Sequence, residues 1–345
     1  MSSEPIVIWG AGAIGGTIGA YLVRAGVDVL FVDQAKDHVD AINQTGLAIA
    51  GPIENFSVPA RAVTPNSLQG TYPAIWLCTK AQHTTDAVRA IAPHLAPGGH
   101  VLSLQNGLNE LAIADVVGRE ATLGAFINFG ADYLGPGQIL YGGRGAVIVG
   151  ELDGAETERL AETHRLLSLF DDAAITTPDI WGYLWGKLGY GALLFATGLT
   201  DDSIADVLDM RAYRPVLTAL ACEMTTLADA QGVVPRGFNG YDPAAFRGGA
   251  VTADVDASFN AMVAHNRKSA KSHSGIWRDL AVRKRKTEVD PQLTRPIAVA
   301  EEAGLEMPLT RKLVMLIQDI EEGRRPLSLE TLDALRDEYD KEAGQ

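Results

Sequence analysis

Pro5-Ile6-Val7-Ile8-Trp9-Gly10-Ala11-Gly12-Ala13-Ile14-Gly15-Gly16 decides the fold: an apolar stretch runs without a polar break into a glycine turn, and the apolar run Thr17 to Ala25 follows at once. That order predicts a buried strand, a tight turn and a helix. A second strand, Val27 to Asp33, ends on a carboxylate. A Gly-x-Gly-x-x-Gly pattern alone is weak, but between a strand and a helix and answered by an acid at the next strand end it reads as a dinucleotide fingerprint.

Each part has a physical task. Gly10 allows the turn, Gly12 lets the backbone approach a pyrophosphate, and Gly15 lets the helix lie close on the strand. With Ala13 and Ile14 they form the expected cofactor-binding loop, whose unpaired N–H groups and helix dipole favour an anion. Asp33 can accept hydrogen bonds from the hydroxyls of an adenosine ribose, whereas a 2'-phosphate there meets like charge. The expected cofactor is therefore NAD(H) in preference to NADP(H). NADP(H) stays admissible if the nearby Lys36 supplies a cation, and Asp33 also fits a solvated strand end.

A chain of 345 residues predicts roughly two domains, and 47% apolar with 21% charged residues is an ordinary globular composition. The formal charge of -14 argues against a nucleic-acid binder, because a phosphate backbone is held by a cationic surface. Cys78 and Cys222 lie far apart in apolar runs, so they suggest neither a metal site nor a disulfide. No metal is expected. Ile180 to Thr200 could span a bilayer, yet its glycines and interior Lys187 fit a buried core helix better. No leader is visible, and the expected setting is cytoplasmic, with a small-molecule substrate as partner and a homodimer left open.

Along the first half, a helix is expected over Ala35 to Gln44. Strands are expected at Ala74 to Thr79, His100 to Leu104, Thr122 to Ile127 and Ala146 to Val149, with a helix over Thr84 to Leu95. Strands alternating with helices imply a mostly parallel sheet. Gly135-Pro136-Gly137 and Gly142-Gly143-Arg144-Gly145 read as hairpin turns, which would make the late strands antiparallel. From about Thr176 the strand-like runs stop. Helical spacing takes over at Trp181 to Ala196, Ser203 to Asp209, Val216 to Gln231, Val255 to Ala270, Pro296 to Ala303, Leu309 to Glu322 and Ser328 to Tyr339, with a loop over Gly232 to Gly249. The reading is thus an α/β domain over residues 1–175 and an all-helical domain over 176–345.

Lys80 and Gln105-Asn106-Gly107 each close a strand, where open α/β sheets bind ligands, although turn chemistry alone would also account for them. Lys187 in its apolar helix is costly unless paired or used, or its stem packs while its head reaches water. Ser272-His273-Ser274-Gly275-Ile276-Trp277-Arg278-Asp279 leads into Arg283-Lys284-Arg285-Lys286, read as a solvated helix face, and Glu288 follows it.

Taken in order, the glycine turn, Thr79-Lys80, Gln105-Asn106-Gly107, Trp185-Gly186-Lys187-Leu188 and Thr287-Glu288-Val289-Asp290 resemble the ketopantoate reductase family over nearly the whole chain. The resemblance implies a Rossmann domain followed by a helical domain. It makes Lys187 the lysine that protonates a substrate carbonyl oxygen as hydride reaches the carbon, a role that suits an ammonium beside developing negative charge. By the same resemblance Glu288 orients Lys187 or binds a substrate hydroxyl, and Lys80 and Asn106 contact the nicotinamide ribose and the active-site lysine region. Ser274, with Ser272 as the alternative, matches the serine that binds the substrate carboxylate. The chain also departs from the family. Two amides expected four and eight residues after the lysine are Gly191 and Phe195, and a basic residue that usually holds NADPH is Asp33. The implied activity is hydride transfer between nicotinamide and a small 2-oxo or 2-hydroxy acid, ketopantoate or a diverged relative. Another alcohol or an amine substrate on the same scaffold, or a nucleotide sensor without turnover, are the alternatives.

Overall fold

A computed structural model describes residues 4–268 and 272–344. The chain divides into two compact units, Met1–Ile180 and Trp181–Gln345.

In the first unit β1 (Ile6–Trp9) enters α1 (Ala13–Arg24), and β2 (Val29–Val32) enters α2 (Lys36–Thr45). Three short strands follow, β3 (Leu47–Ala50), β4 (Phe56–Val58) and β5 (Arg61–Val63). Then come β6 (Tyr72–Leu77), α3 (Thr84–Ile91), β7 (Leu95–Ser103), α4 (Asn109–Val117), β8 (Thr122–Gly135), β9 (Gln138–Glu151), α5 (Glu158–Phe170) and β10 (Ile175–Thr176). They build one sheet in the order β4-β3-β9-β8-β7-β6-β1-β2-β5, with β10 against β9. The central pairs are parallel, and β8 and β9 are antiparallel, as the turn residues predicted.

Parallel strands buried on both faces need continuous apolar runs, and period 2 then sorts the side chains. Ile8, Phe31, Trp76 and Leu102 share a cluster with Ile18 and Leu22 of α1 and Leu167 and Phe170 of α5. Val7, Trp9, Ile75, Leu77 and Val101 share the other with Val88 and Ile91 of α3 and Ile113 of α4. Helices therefore cover both faces, the doubly wound Rossmann arrangement.

Several elements differ from expectation. The segments β3, β4 and β5 are too short to show a period of their own. The helix expected up to Leu95 stops at Ile91, because Pro93 cannot continue the hydrogen-bond ladder, and Leu95 already belongs to β7. Only Gly135-Pro136-Gly137 turns the hairpin. Gly142, Gly143 and Gly145 lie inside β9, where the register with β8 shifts, and a side chain at Gly145 would collide with the Asn128 carbonyl. The first unit also runs on to Ile180, beyond the expected break, because Ile175 and Thr176 still pair with β9.

The second unit is helical: α6 (Ile180–Thr197), α7 (Ile204–Asp209), α8 (Arg214–Ala230), α9 (Ala253–Lys268), α10 (Gly275–Trp277), α11 (Arg295–Glu302), α12 (Pro308–Glu321) and α13 (Leu329–Ala343). The expected end of α9 at Ala270 lies outside the described residues. Two π-helical turns, Arg278–Val282 and Asp290–Thr294, had no sequence signal. The loop between α8 and α9 is anchored by Tyr241 and Phe246, both buried. No helix among the described residues is long and apolar enough to cross a membrane.

Candidate functional site

The residues expected to hold a cofactor come together at the carboxyl edge of the sheet, at the ends of the neighbouring strands β7, β6, β1 and β2. The ladder runs on past the strands: Gly10 N–H donates to Val32 O at 2.7 Å, Cys78 N–H to Trp9 O at 2.8 Å and Leu104 N–H to Leu77 O at 2.9 Å. Gly10 has a φ of +103°, and an added Cβ would lie 2.8 Å from Thr79 N. A Cβ on Gly15 would lie 2.1 Å from Gly10 O, so the helix packs on the turn only without a side chain there. Gly12 is different: nothing lies within 4 Å of its missing Cβ. It is the N-cap residue of α1, with no side-chain cap, which leaves an open approach to the N–H groups of that helix start and of Ala13 and Ile14 behind it.

Asp33 is braced. Its Oδ2 accepts from Ala11 N–H and its Oδ1 from Ala35 N–H, each at 2.9 Å. A carboxylate oxygen has two lone pairs, so one on each oxygen remains for a ribose hydroxyl. Around it stand acids: the Tyr133 phenol is pushed up by burial and by the Asp37 and Asp33 carboxylates. The Lys36 ammonium sits 2.6 Å from Asp40, one helical turn along α2.

Lys80, half-buried, leads the short turn Ala81–His83, and Asn106 is exposed beyond β7. Gln105, which the sequence already set beside Asn106, ties these two loops together with Thr84 and Asn109, which sequence reading passed over. Gln105 Nε2 donates to Thr79 O at 2.8 Å and to Thr84 Oγ1 at 2.9 Å, Thr84 Oγ1 donates to Asn109 Oδ1 at 2.8 Å, and Asn109 Nδ2 donates to Asn106 O at 2.5 Å. Only the polar side chains close to Lys80 and Asn106 in sequence could have hinted at this chain.

In the helical unit, α6 is buried on most sides. Tyr183, Lys187, Gly191 and Leu194 are its half-buried residues after Trp181, and at helical spacing they form one stripe. The glycines of α6 are not equivalent. A Cβ on Gly186 would lie 1.9 Å from Arg236 O and one on Gly189 2.5 Å from the Tyr241 hydroxyl, but one on Gly191 meets nothing within 4 Å. Packing thus explains the first two and leaves Gly191, one turn from Lys187, bordering open space. Phe195 is 1% exposed. Of the two positions in α6 where the family pattern has an amide, only Gly191 borders open space.

Ser274 is buried and caps α10, its Oγ accepting from Trp277 N–H at 3.1 Å. Ser272 is exposed, with Oγ 2.9 Å from His273 Nδ1. The His273 ring lies 4.0 Å from that of Trp277, whose Nε1 donates to Asp201 Oδ1 at 2.8 Å. Half-buried Glu288 stands between buried Thr287 and Val289. Thr287 is locked by N–H and Oγ1 donation to Glu321 Oε1, both at 2.7 Å. The basic run before it is no helix face: Arg283 and Arg285 fold back onto Asp279 Oδ1 at 3.1 and 2.9 Å, and Lys284 has a φ of 50°.

Comparison with known proteins agrees with this division. The family described as "Ketopantoate reductase PanE/ApbA" matches residues 6–154, and its C-terminal counterpart, "Ketopantoate reductase PanE/ApbA C terminal", matches 179–321. The chain belongs to the ketopantoate reductase family. A 2-dehydropantoate 2-reductase of Pyrococcus abyssi is 36% identical over 186 residues, and one of Archaeoglobus fulgidus is 28% identical over 327 residues, 94% of this chain and 100% of that protein. The chain spans 59% of the length of the Pyrococcus relatives it matches. Among solved structures, a family ketopantoate reductase from Ralstonia eutropha JMP134 has a TM-score of 0.76 at 24% identity, covering 93% of this chain and 99% of that one. D-mandelate dehydrogenase with NADH and anilino(oxo)acetate has a TM-score of 0.78 at 20% identity, with the same coverage. At these identities the structural likeness speaks for the fold.

Proposed function

We propose that this protein transfers a hydride between NAD(H) and a small 2-oxo acid, giving the 2-hydroxy acid, with Lys187 as the proton donor. The observation that carries the reading is Lys187 itself, the one charged residue between Ile180 and Thr200, set on the half-buried stripe of a helix that is otherwise interior. In the reducing direction a 2-oxo acid, NADH and a proton become the 2-hydroxy acid and NAD+. When bound, the nicotinamide supplies the hydride to the carbonyl carbon. The Lys187 ammonium stabilises the charge that collects on the carbonyl oxygen and gives it a proton. Glu288 orients that lysine or receives a substrate hydroxyl, and Ser274 or Ser272 takes the carboxylate. Lys80 and Asn106 face the nicotinamide end of the cofactor.

NAD(H) is the cofactor the charges favour. Asp33 keeps lone pairs for the ribose hydroxyls, Asp37 adds to the local negative charge, and Lys36 is engaged by Asp40. A 2'-phosphate would meet carboxylates where it needs a cation. The open space beside Gly191 supports a substrate other than ketopantoate, with an apolar substituent where the family presents an amide. A site that has lost a hydrogen-bonding group no longer selects for a hydroxyl. D-mandelate dehydrogenase, seen with NADH among the structural neighbours, extends the candidates to 2-oxo acids with an aryl group.

The test is initial rates with NADH and NADPH against ketopantoate, 3-methyl-2-oxobutanoate and phenylglyoxylate. The expected result is a kcat/KM at least about tenfold higher with NADH, equivalent to about 1.4 kcal/mol, and highest for a substrate without the hydroxyl. Lys187→Ala should lower kcat by about 10²–10⁴ while NADH binds as before. Fast NADPH-dependent reduction of ketopantoate would overturn both the cofactor and the substrate reading.

A further inference from the structure

Helix α2 carries mostly polar residues, yet His38 in its first turn is 1% exposed and uses both ring nitrogens. Gly137 N–H donates to Nδ1 at 2.9 Å, so that nitrogen carries no proton. The ring hydrogen is therefore on Nε2, which donates to the Ala11 carbonyl at 2.9 Å. Ala11 N–H in turn donates to Asp33 Oδ2 at 2.9 Å. Both peptide groups of Ala11, in the middle of the glycine turn, are thus held by side chains from the β2–α2 segment.

The peptide joining Ala11 to Gly12 is planar and trans, so holding its carbonyl fixes the opposite direction for Gly12 N–H. Gly12 caps α1, and its N–H is among the donors that an anion approaching the helix start would meet. On its other side the ring ties down the tip of the β8–β9 hairpin. Gly137 gives its N–H to His38, and its carbonyl accepts from Ala48 N–H at 2.8 Å. The Tyr133 ring stands edge-on to the imidazole at 5.1 Å.

We propose that His38 is a positioning residue for dinucleotide binding. Its neutral ring holds Gly12 N–H in its phosphate-facing direction and makes the hairpin tip at residues 135–138 a support of the cofactor turn. The proposal rests on the reading that this turn binds a dinucleotide. A histidine that only fills the core would change stability and leave the NADH affinity of folded molecules alone.

The experiment uses the full chain with three substitutions, each measured for thermal unfolding, NADH and ADP-ribose dissociation constants, kcat and KM. His38→Leu removes both hydrogen bonds. His38→Gln offers an amide nitrogen and oxygen in place of the ring nitrogens. His38→Asn reaches Gly137 but falls short of Ala11. His38→Leu and His38→Asn should weaken NADH and ADP-ribose by about tenfold and raise KM for NADH, with kcat changed less than about threefold. His38→Gln should bring affinity back to within about threefold of the parent. If His38→Leu does not fold, His38→Asn carries the test. A folded His38→Asn or His38→Leu protein that binds NADH like the parent would overturn the proposal, as would equal loss in the Gln and Leu variants. A parent protein that binds neither NADH nor ADP-ribose would overturn the dinucleotide reading, and this proposal with it.

Discussion

Asp33 and Gly191 show how differently single residues reveal themselves. Asp33 was legible from its place at a strand end after a glycine turn, but its double brace on Ala11 and Ala35 was not, because a backbone N–H has no sequence signature. Gly191 was legible only as a departure from a pattern. Its meaning came from comparison with Gly186 and Gly189, which neighbouring groups force to be glycine, whereas nothing approaches Gly191. A glycine in mid-helix costs roughly 0.5–1 kcal/mol relative to alanine, so an unforced one invites a functional account. Gly191→Ala is therefore expected to stabilise the protein by roughly that amount in urea unfolding, while lowering kcat/KM most for the bulkiest accepted 2-oxo acid. Gly189→Ala should destabilise it, since the new methyl meets the Tyr241 hydroxyl. Equal effects at the two positions would remove the argument for open space at Gly191.

Among the elements, α12 illustrates a support that no periodicity reveals. Its apolar face was readable, and the helix lies within one residue of expectation at each end. Its first N–H groups, however, are satisfied from α8: the Glu223 carboxylate accepts from Leu309 N–H and Thr310 N–H at 2.8 Å and from Thr310 Oγ1 at 2.6 Å. Burial pushes the Glu223 carboxyl up even though all three donors pull it down. Glu223→Ala would leave a helix start without its cap and is expected to cost about 1–3 kcal/mol of stability, with NADH affinity unchanged. A chemical-denaturation midpoint within error of the parent would contradict that role. The hairpin of β8 and β9 makes the same point in the sheet. Its turn was visible in Gly135-Pro136-Gly137, but its length was hidden because glycines inside a strand look like turns until a bulge brings Asn128 against Gly145.

For the whole molecule, acid is the informative perturbation. Burial, with the Arg159 charge added, pushes His100 from its ordinary 6.5 down to about 4. Between those values the unfolded chain binds a proton that the folded one refuses, so stability falls as the pH drops from about 6.5 to about 4. Burial alone would raise Glu151, but hydrogen bonds from Arg159 and Thr157 hold it below the ordinary carboxyl range, so its contribution is lost at still lower pH. Relief of the net charge of -14 works against both. The difference between the parent and His100→Gln isolates the histidine: the parent should lose on the order of 2–3 kcal/mol more over that window, and parallel profiles would contradict a buried neutral ring. What the sequence by itself determined is the order of elements, the glycine turn with its acid, the helical second half and the lysine in it. Those follow from period, turn chemistry and the cost of burying charge, which act between near neighbours in the chain. Only the tertiary structure decided that His38 and Asp33 grip the two peptide groups of Ala11, that Gln105 and Asn109 knit two loops together, and that Gly191 borders open space while Phe195 does not. Each of these depends on groups far apart in sequence meeting within hydrogen-bond or van der Waals distance, which a linear pattern does not encode.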